Sequence, residues 1–134
     1  MLAFHRTLAG ATLAAAAMVG CAGCAERDGA ATAVQYLSAA VTAGDGAAAC
    51  EVLAPETRAA VTESAGVSCP EAIIDAGLTP LGAVHSVAVY GQWARVVTDH
   101  DTVFLAAFGS GWKVVAAGCR SQGERPYDCR VQGG

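Results

Sequence analysis

Residues 102–129, TVFLAAFGSGWKVVAAGCRSQGERPYDC, decide the fold. Val103 to Phe108 and Trp112 to Ala117 are two apolar runs rich in the β-branched and aromatic residues that suit a pleated surface. Gly109-Ser110-Gly111 separates them, and glycine reaches positive φ without steric cost. The spacing predicts a hairpin with a three-residue loop. That loop pairs Phe108 with Trp112, Ala106 with Val114 and Phe104 with Ala116. One face then carries Phe104, Phe108, Trp112 and Val114. The other carries Val103, Leu105 and Val115, with Lys113 near the turn. Neither face is polar, so helices are expected over one and a partner or ligand over the other; the plainer reading is one core face and one alanine-rich surface.

Upstream, Val84 to Tyr90 and Trp93 to Thr98 alternate as strands, with Gly91-Gln92 as the turn between them. Asp99-His100-Asp101 turns the chain into the hairpin. Before Pro80 the period is helical. Ala33, Val34, Leu37, Ala40 and Val41 form one stripe on a helix from Ala30 to Thr42, ended by Gly44. Asp45 caps a short helix through Cys50 and Leu53. Pro55 opens a third helix, with Glu56 favourable near its N-terminus and Gly66 at its end. Ser68 and Pro70 open a fourth, with Ile73 and Ile74 buried, ending by Gly77. Helices first and an antiparallel meander after is an α+β pattern.

The chain has 134 residues and a formal net charge of −4. That is one domain at most once a leader is removed, and no basic run or aromatic–basic interleaving points to nucleic acid. Residues 1–20 read as a leader. Arg6 is its charged start, and the apolar run from Leu8 to Val19 is shorter than the roughly 20 residues a bilayer span needs. Met18-Val19-Gly20-Cys21 resembles the lipobox of bacterial lipoproteins, which places the acyl chains (palmitate in type) on Cys21. Cys24 is the alternative acylation site. Residues 21–29, with Glu26, Arg27 and Asp28, read as a lipidated tether, and 30–134 as one domain on the extracytoplasmic face of the cell membrane.

Outside that region lie Cys50, Cys69, Cys119 and Cys129, an even count that reads as two disulfides in an exported chain. Of three connectivities, Cys50–Cys69 with Cys119–Cys129 is favoured because each pair closes a local loop. The spacings are far wider than the close pairs of structural zinc sites, so no metal is expected. Arg120, Glu124, Arg125 and Asp128 make the segment between Cys119 and Cys129 too polar to order by burial. A disulfide is therefore expected to hold it as a loop, with Tyr127 over the sheet. The clip is structural in the plain reading; in the sharper one it presents Arg125, Tyr127 and Asp128 to a partner.

An acylated cysteine, an A-x-x-x-L helix followed by Gly-Asp, a cysteine before Leu53-Ala54-Pro55, then GWKVVAAGC and PYDC near a Gly-Gly end resemble a group of small bacterial lipoproteins of unknown function. The resemblance spans nearly the whole mature chain and is most specific in GWKVVAAGC with PYDC. It implies a nuclear transport factor 2-like cone, with helices packed on a strongly curved antiparallel sheet. The strand pair usual between the helices of that fold is not visible here.

Enzymes of that fold class place Asp, His or Tyr inside the cone. The candidates here are His85, Tyr90, Arg95, Asp99, His100 and Asp101. A lone His on a strand is more often a hydrogen-bonded core or rim residue, and Asp99-His100-Asp101 suits a solvated turn. No nucleophile–base motif, metal signature or phosphate loop is present in the sequence, and no cofactor is expected. Three functions stay open: a membrane-anchored binding or assembly module of the cell envelope, a carrier of a small hydrophobic ligand, and a cone enzyme with a His/Asp site. The first is favoured. A pocket holding His85 or Asp99 beside another polar group favours the enzyme, a wide apolar pocket the carrier, and a filled cone with an exposed apolar patch the module.

Overall fold

The computed structural model describes residues 22–133. Cys21 and the leader at 1–20 lie outside the described residues. Those described form four helices and then five strands, as the α+β pattern requires. The helices are α1 (Ala22–Ala43), α2 (Gly46–Val52), α3 (Pro55–Ala65) and α4 (Cys69–Asp75). The strands are β1 (Val84–Tyr90), β2 (Trp93–Thr98), β3 (Thr102–Phe108), β4 (Gly111–Gln122) and β5 (Arg125–Gln132). They form one open antiparallel sheet in the order β1-β2-β3-β4-β5. Among the described residues no helix is long and apolar enough to cross a membrane.

Helix α1 buries Ala30, Ala33, Val34, Leu37 and Ala40, the stripe that its three- and four-residue spacings set. It runs from Ala22, so residues 22–29 of the segment read as a tether are helical. Residues 22–28 are exposed, and an extension with no apolar face leaves no periodic signal. Gly44 follows at φ 65°. Asp45 caps α2, its carboxylate accepting from the Ala48 N–H at 3.0 Å. Gly66 ends α3 in the left-handed region, its N–H bonded to the Thr62 carbonyl. In α4, Ile73 is buried but Ile74 is 45 % exposed, correcting the expectation that both are buried. Successive helical residues point about 100° apart, and this short helix meets the core on one side. The Cys50–Cys69 disulfide joins α2 to the start of α4. A Cβ on Gly46 would overlap the Pro70 backbone, so only glycine allows these helices to approach there.

Strands β1 and β2 pair Tyr90 with Trp93 and Val87 with Val96, on the expected bounds. The β3–β4 turn differs from expectation. It spans two residues, Gly109 and Ser110, and pairs Phe108 with Gly111, Ala107 with Trp112 and Leu105 with Val114. A bulge then restores Phe104 opposite Ala116. A one-residue slip exchanges faces, so Trp112 and Val114 join Val103 and Leu105 on the helix side, while Phe104 and Phe108 face away.

The segment after Cys119 is a second correction. It is not a loop: β4 runs on to Gln122, and β5 returns beside it with Cys119 opposite Cys129 and Arg120 opposite Asp128. Its polarity fits an edge strand, which needs backbone pairing rather than burial, and Pro126 is tolerated there. Only Val131 of β5 is buried. Where β5 ends, the α2–α3 connection takes over the edge of β4. Leu53 bridges Val114, the Ala54 N–H donates to the Val114 carbonyl at 2.8 Å, and the buried Thr57 hydroxyl donates to the Val115 carbonyl at 3.0 Å.

The core lies between the helices and one sheet face. Leu37, Ile73, Leu81, Leu105, Val96, Val103, Val114 and Val131 are buried in it.

Candidate functional site

The β2–β3 turn gathers three of the sequence candidates. Its backbone holds Leu81 and Ala83: the His100 N–H donates to the Leu81 carbonyl at 3.1 Å and the Asp99 N–H to the Ala83 carbonyl at 3.0 Å. The Asp99 carboxylate accepts the Ala83 N–H at 2.8 Å and pairs with His85 Nε2. The Ala83 bond first, and His85 second, hold the Asp99 carboxyl below its ordinary value of 3.8. Gly82, at φ 80°, lies against this carboxylate, where a Cβ would clash. Asp101 turns the other way. Its carboxylate accepts the N–H groups of Gly118 at 2.8 Å, Cys119 at 2.9 Å and Thr102 at 2.7 Å. Both aspartates are therefore occupied in holding backbone, as turn formers do.

His85 and Asp99 sit at the surface, with side chains 60 % and 37 % exposed. No described groove brings a third polar group to them, and among the described residues no three His, Cys, Asp or Glu side chains converge as metal ligands. His100 lines a cleft of about 80 Å³ beside Asp101 and Arg120, too small for an ordinary ligand site.

The space between helices and sheet is filled by the core. The roomier hollows are grooves at its rim. One of about 390 Å³ lies between α1, α2 and β4, with Tyr36, Val52, Trp112 and Lys113 in its walls. Polar ties cross it. The Trp112 indole N–H donates to Glu26 at 3.1 Å, the Tyr36 hydroxyl to Glu51 at 3.1 Å, and Lys113 Nζ to the Glu51 carbonyl at 2.9 Å. Glu51, as hydrogen-bond partner and negative charge, raises the Tyr36 pKa. A second groove, of about 270 Å³, lies beyond Lys113, against Leu53, Arg58 and Phe108. A third, of about 290 Å³, runs between α3, α4 and Arg130 of β5. The sequence reading did not find the contacts of Glu26 and Glu51, because they join residues far apart in the chain and leave no local spacing.

The sheet face away from the helices carries Tyr90, Trp93, Arg95, Phe104 and Phe108. Tyr90 and Trp93 are 59 % and 58 % exposed. Arg95 lies opposite Phe104, half-buried, and its Nε has no hydrogen-bond partner among the described residues. On β5, Tyr127 packs edge-on against Phe104, with ring centroids 5.0 Å apart, while Arg125 and Asp128 beside it are exposed. The structure thus brings Tyr127, Phe104 and Arg95 to one face, and leaves Tyr90 apart from His85 and Asp99. Cys24 is exposed in the first turn of α1.

Compared with protein-family models, with curated proteins and with solved structures, the chain finds no match in any of the three.

Proposed function

We propose that this chain is a lipid-anchored, non-catalytic binding or assembly module of the cell envelope, displayed on the extracytoplasmic face and held by an acylated Cys21, with Cys24 as the alternative. The observation that carries the reading is the division of the sheet. Its helix side is filled by Leu37, Ile73, Leu105, Val96 and Val114, so among the described residues the space between helices and sheet is core rather than a chamber. Its other side brings Arg95, Phe104 and Tyr127 together on one face, which supports a contact surface there. Helices on one face of an antiparallel meander fit a small nuclear transport factor 2-like cone whose interior has closed.

The partner surface assigned here is Arg125 and Tyr127 on β5, continued by Phe104 and Arg95, with Asp128 on the same edge strand but turned to its other face. A half-buried aromatic ring flanked by exposed charges is a common form of protein-binding hot spot.

A second reading, a carrier of a small hydrophobic ligand, rests on the groove of about 390 Å³ beside Trp112, within the size range of ligand pockets. Native mass spectrometry of protein extracted from membranes separates the two. The module predicts the mass of the acylated chain alone; a bound mass lost on Trp112→Ala supports the carrier. Cys21→Ser tests the anchor. It should release the protein from the membrane fraction or block leader removal, and unchanged processing and retention would discard Cys21.

A further inference from the structure

We propose that the β1–β2 and β3–β4 turns rest on the lipid surface, with Tyr90, Trp93 and Phe108 in its interfacial layer. The inference rests on the acylated N-terminus of the proposed function and adds an orientation to it. An antiparallel meander puts alternate turns at opposite ends. Gly91-Gln92 and Gly109-Ser110 share one end, and the Ala107 N–H donates to the Gln92 carbonyl at 2.8 Å between them. The turns at Asp99–Asp101 and Gly123-Glu124 share the other.

The start of α1 lies at the first end. Trp112, one residue into β4, bonds Glu26 at 3.1 Å. Ala22 is four residues earlier, about 6 Å along the helix. The first described turns of α1 therefore lie beside the β3–β4 turn. A short anchor on Cys21 brings that end to the bilayer first.

The residues there suit the contact. Tyr90 and Trp93 are register partners and so share a face; Phe108 lies on that face too, and is 43 % exposed. Tyr and Trp favour the membrane interface, where the ring is buried and the polar atom stays wet. Neither turn at this end contains a charge. At the far end stand Asp99, His100 and Asp101, and Glu124 beside Arg125. The charged groups nearest the anchor end are Glu26, Arg27 and Asp28 in the first turns of α1, with Glu26 holding Trp112, and Lys113, which holds the Glu51 carbonyl. A lipidated protein gains firm attachment from a second membrane contact, which these rings would supply. The same orientation turns Arg125, Tyr127 and Asp128 away from the bilayer.

The test uses the acylated full-length mature protein on vesicles of phosphatidylglycerol and phosphatidylethanolamine, part of the lipid carrying brominated acyl chains. Trp112→Phe leaves Trp93 as the reporter, and Trp93→Phe leaves Trp112. Trp93 emission should shift to shorter wavelength and lose more intensity to brominated lipid than Trp112 emission does. Hydroxyl-radical footprinting of the unmutated protein covers the case of a variant that fails to fold: Tyr90, Trp93 and Phe108 should be shielded on vesicles, and Tyr127 should not. Acylated, vesicle-bound protein with no brominated-lipid effect on Trp93 and no shielding overturns the inference while leaving the anchor. An N-terminal peptide without acyl chains, in protein still quenched at Trp93, overturns the anchor while leaving the contact.

Discussion

The Glu26 carboxylate accepts the indole N–H of Trp112 at 3.1 Å, across 86 residues of sequence. It fixes the first turns of α1 to the start of β4. Glu26→Ala should free those turns without unfolding the domain, since residues 22–28 bury little. Amide exchange over 22–29 should accelerate, while global stability falls by no more than about 1 kcal/mol, the net worth of one hydrogen bond. Unchanged exchange there would show that the contact holds nothing.

Asp101 carries a larger share of the fold. Its carboxylate serves the amides of Gly118 and Cys119 as well as its neighbour Thr102. Asp101→Ala should cost about 2–4 kcal/mol, because it takes the carboxylate from three partly buried N–H groups. Asp101→Asn keeps one acceptor oxygen and should cost less. Denaturant unfolding with the disulfides intact measures both.

Asp99 makes stability depend on pH in the acid range. Its folded pKa lies below the unfolded value, so its contribution is present above about pH 4 and is lost as pH falls through the folded value. The Ala83 N–H is the main cause and His85 the second, so His85→Ala should shrink the acid dependence and Asp99→Asn should abolish it. Unfolding curves between pH 2 and 6, compared across the three proteins, give the answer.

The strand bounds of β1 and β2, the helix stops at Gly44 and Gly66, and the disulfide pairs were legible because each rests on local chemistry: alternation, positive-φ glycine, short loop closure. The Phe108 register was not, because Gly109, Ser110 and Gly111 allow either a two- or a three-residue turn, and only packing of Trp112 and Val114 against the helices selects one. Strand β5 was missed because an edge strand with a single buried residue, Val131, has no apolar alternation to read. Of the site candidates, His85 and Asp99 do meet, but in a surface pair. Tyr127 does lie on the sheet, though on a strand rather than a loop.

The two disulfides should differ in what they protect. Cys50–Cys69 closes 19 residues and ties two short helices; Cys119–Cys129 closes 10 and ties strands already paired by backbone. Each removal should cost about 2–4 kcal/mol. Cys119→Ser with Cys129→Ser should raise exchange mainly between Arg125 and Asp128 and spare Val131. Cys50→Ser with Cys69→Ser should loosen α2 and α4 together. Peptide mapping of the non-reduced protein should recover both pairs.

We propose that the domain binds a protein through the β5 face and needs no chemistry at His85. The most direct measurement is photo-crosslinking in intact cells from a benzophenone side chain at position 127, compared with position 90. A protein adduct of defined mass is expected from 127, lost on Arg125→Ala or Asp128→Ala, kept on His85→Ala and His100→Ala, and absent from 90. No discrete protein adduct at 127, or an adduct lost with His85→Ala in a folded domain, would contradict it.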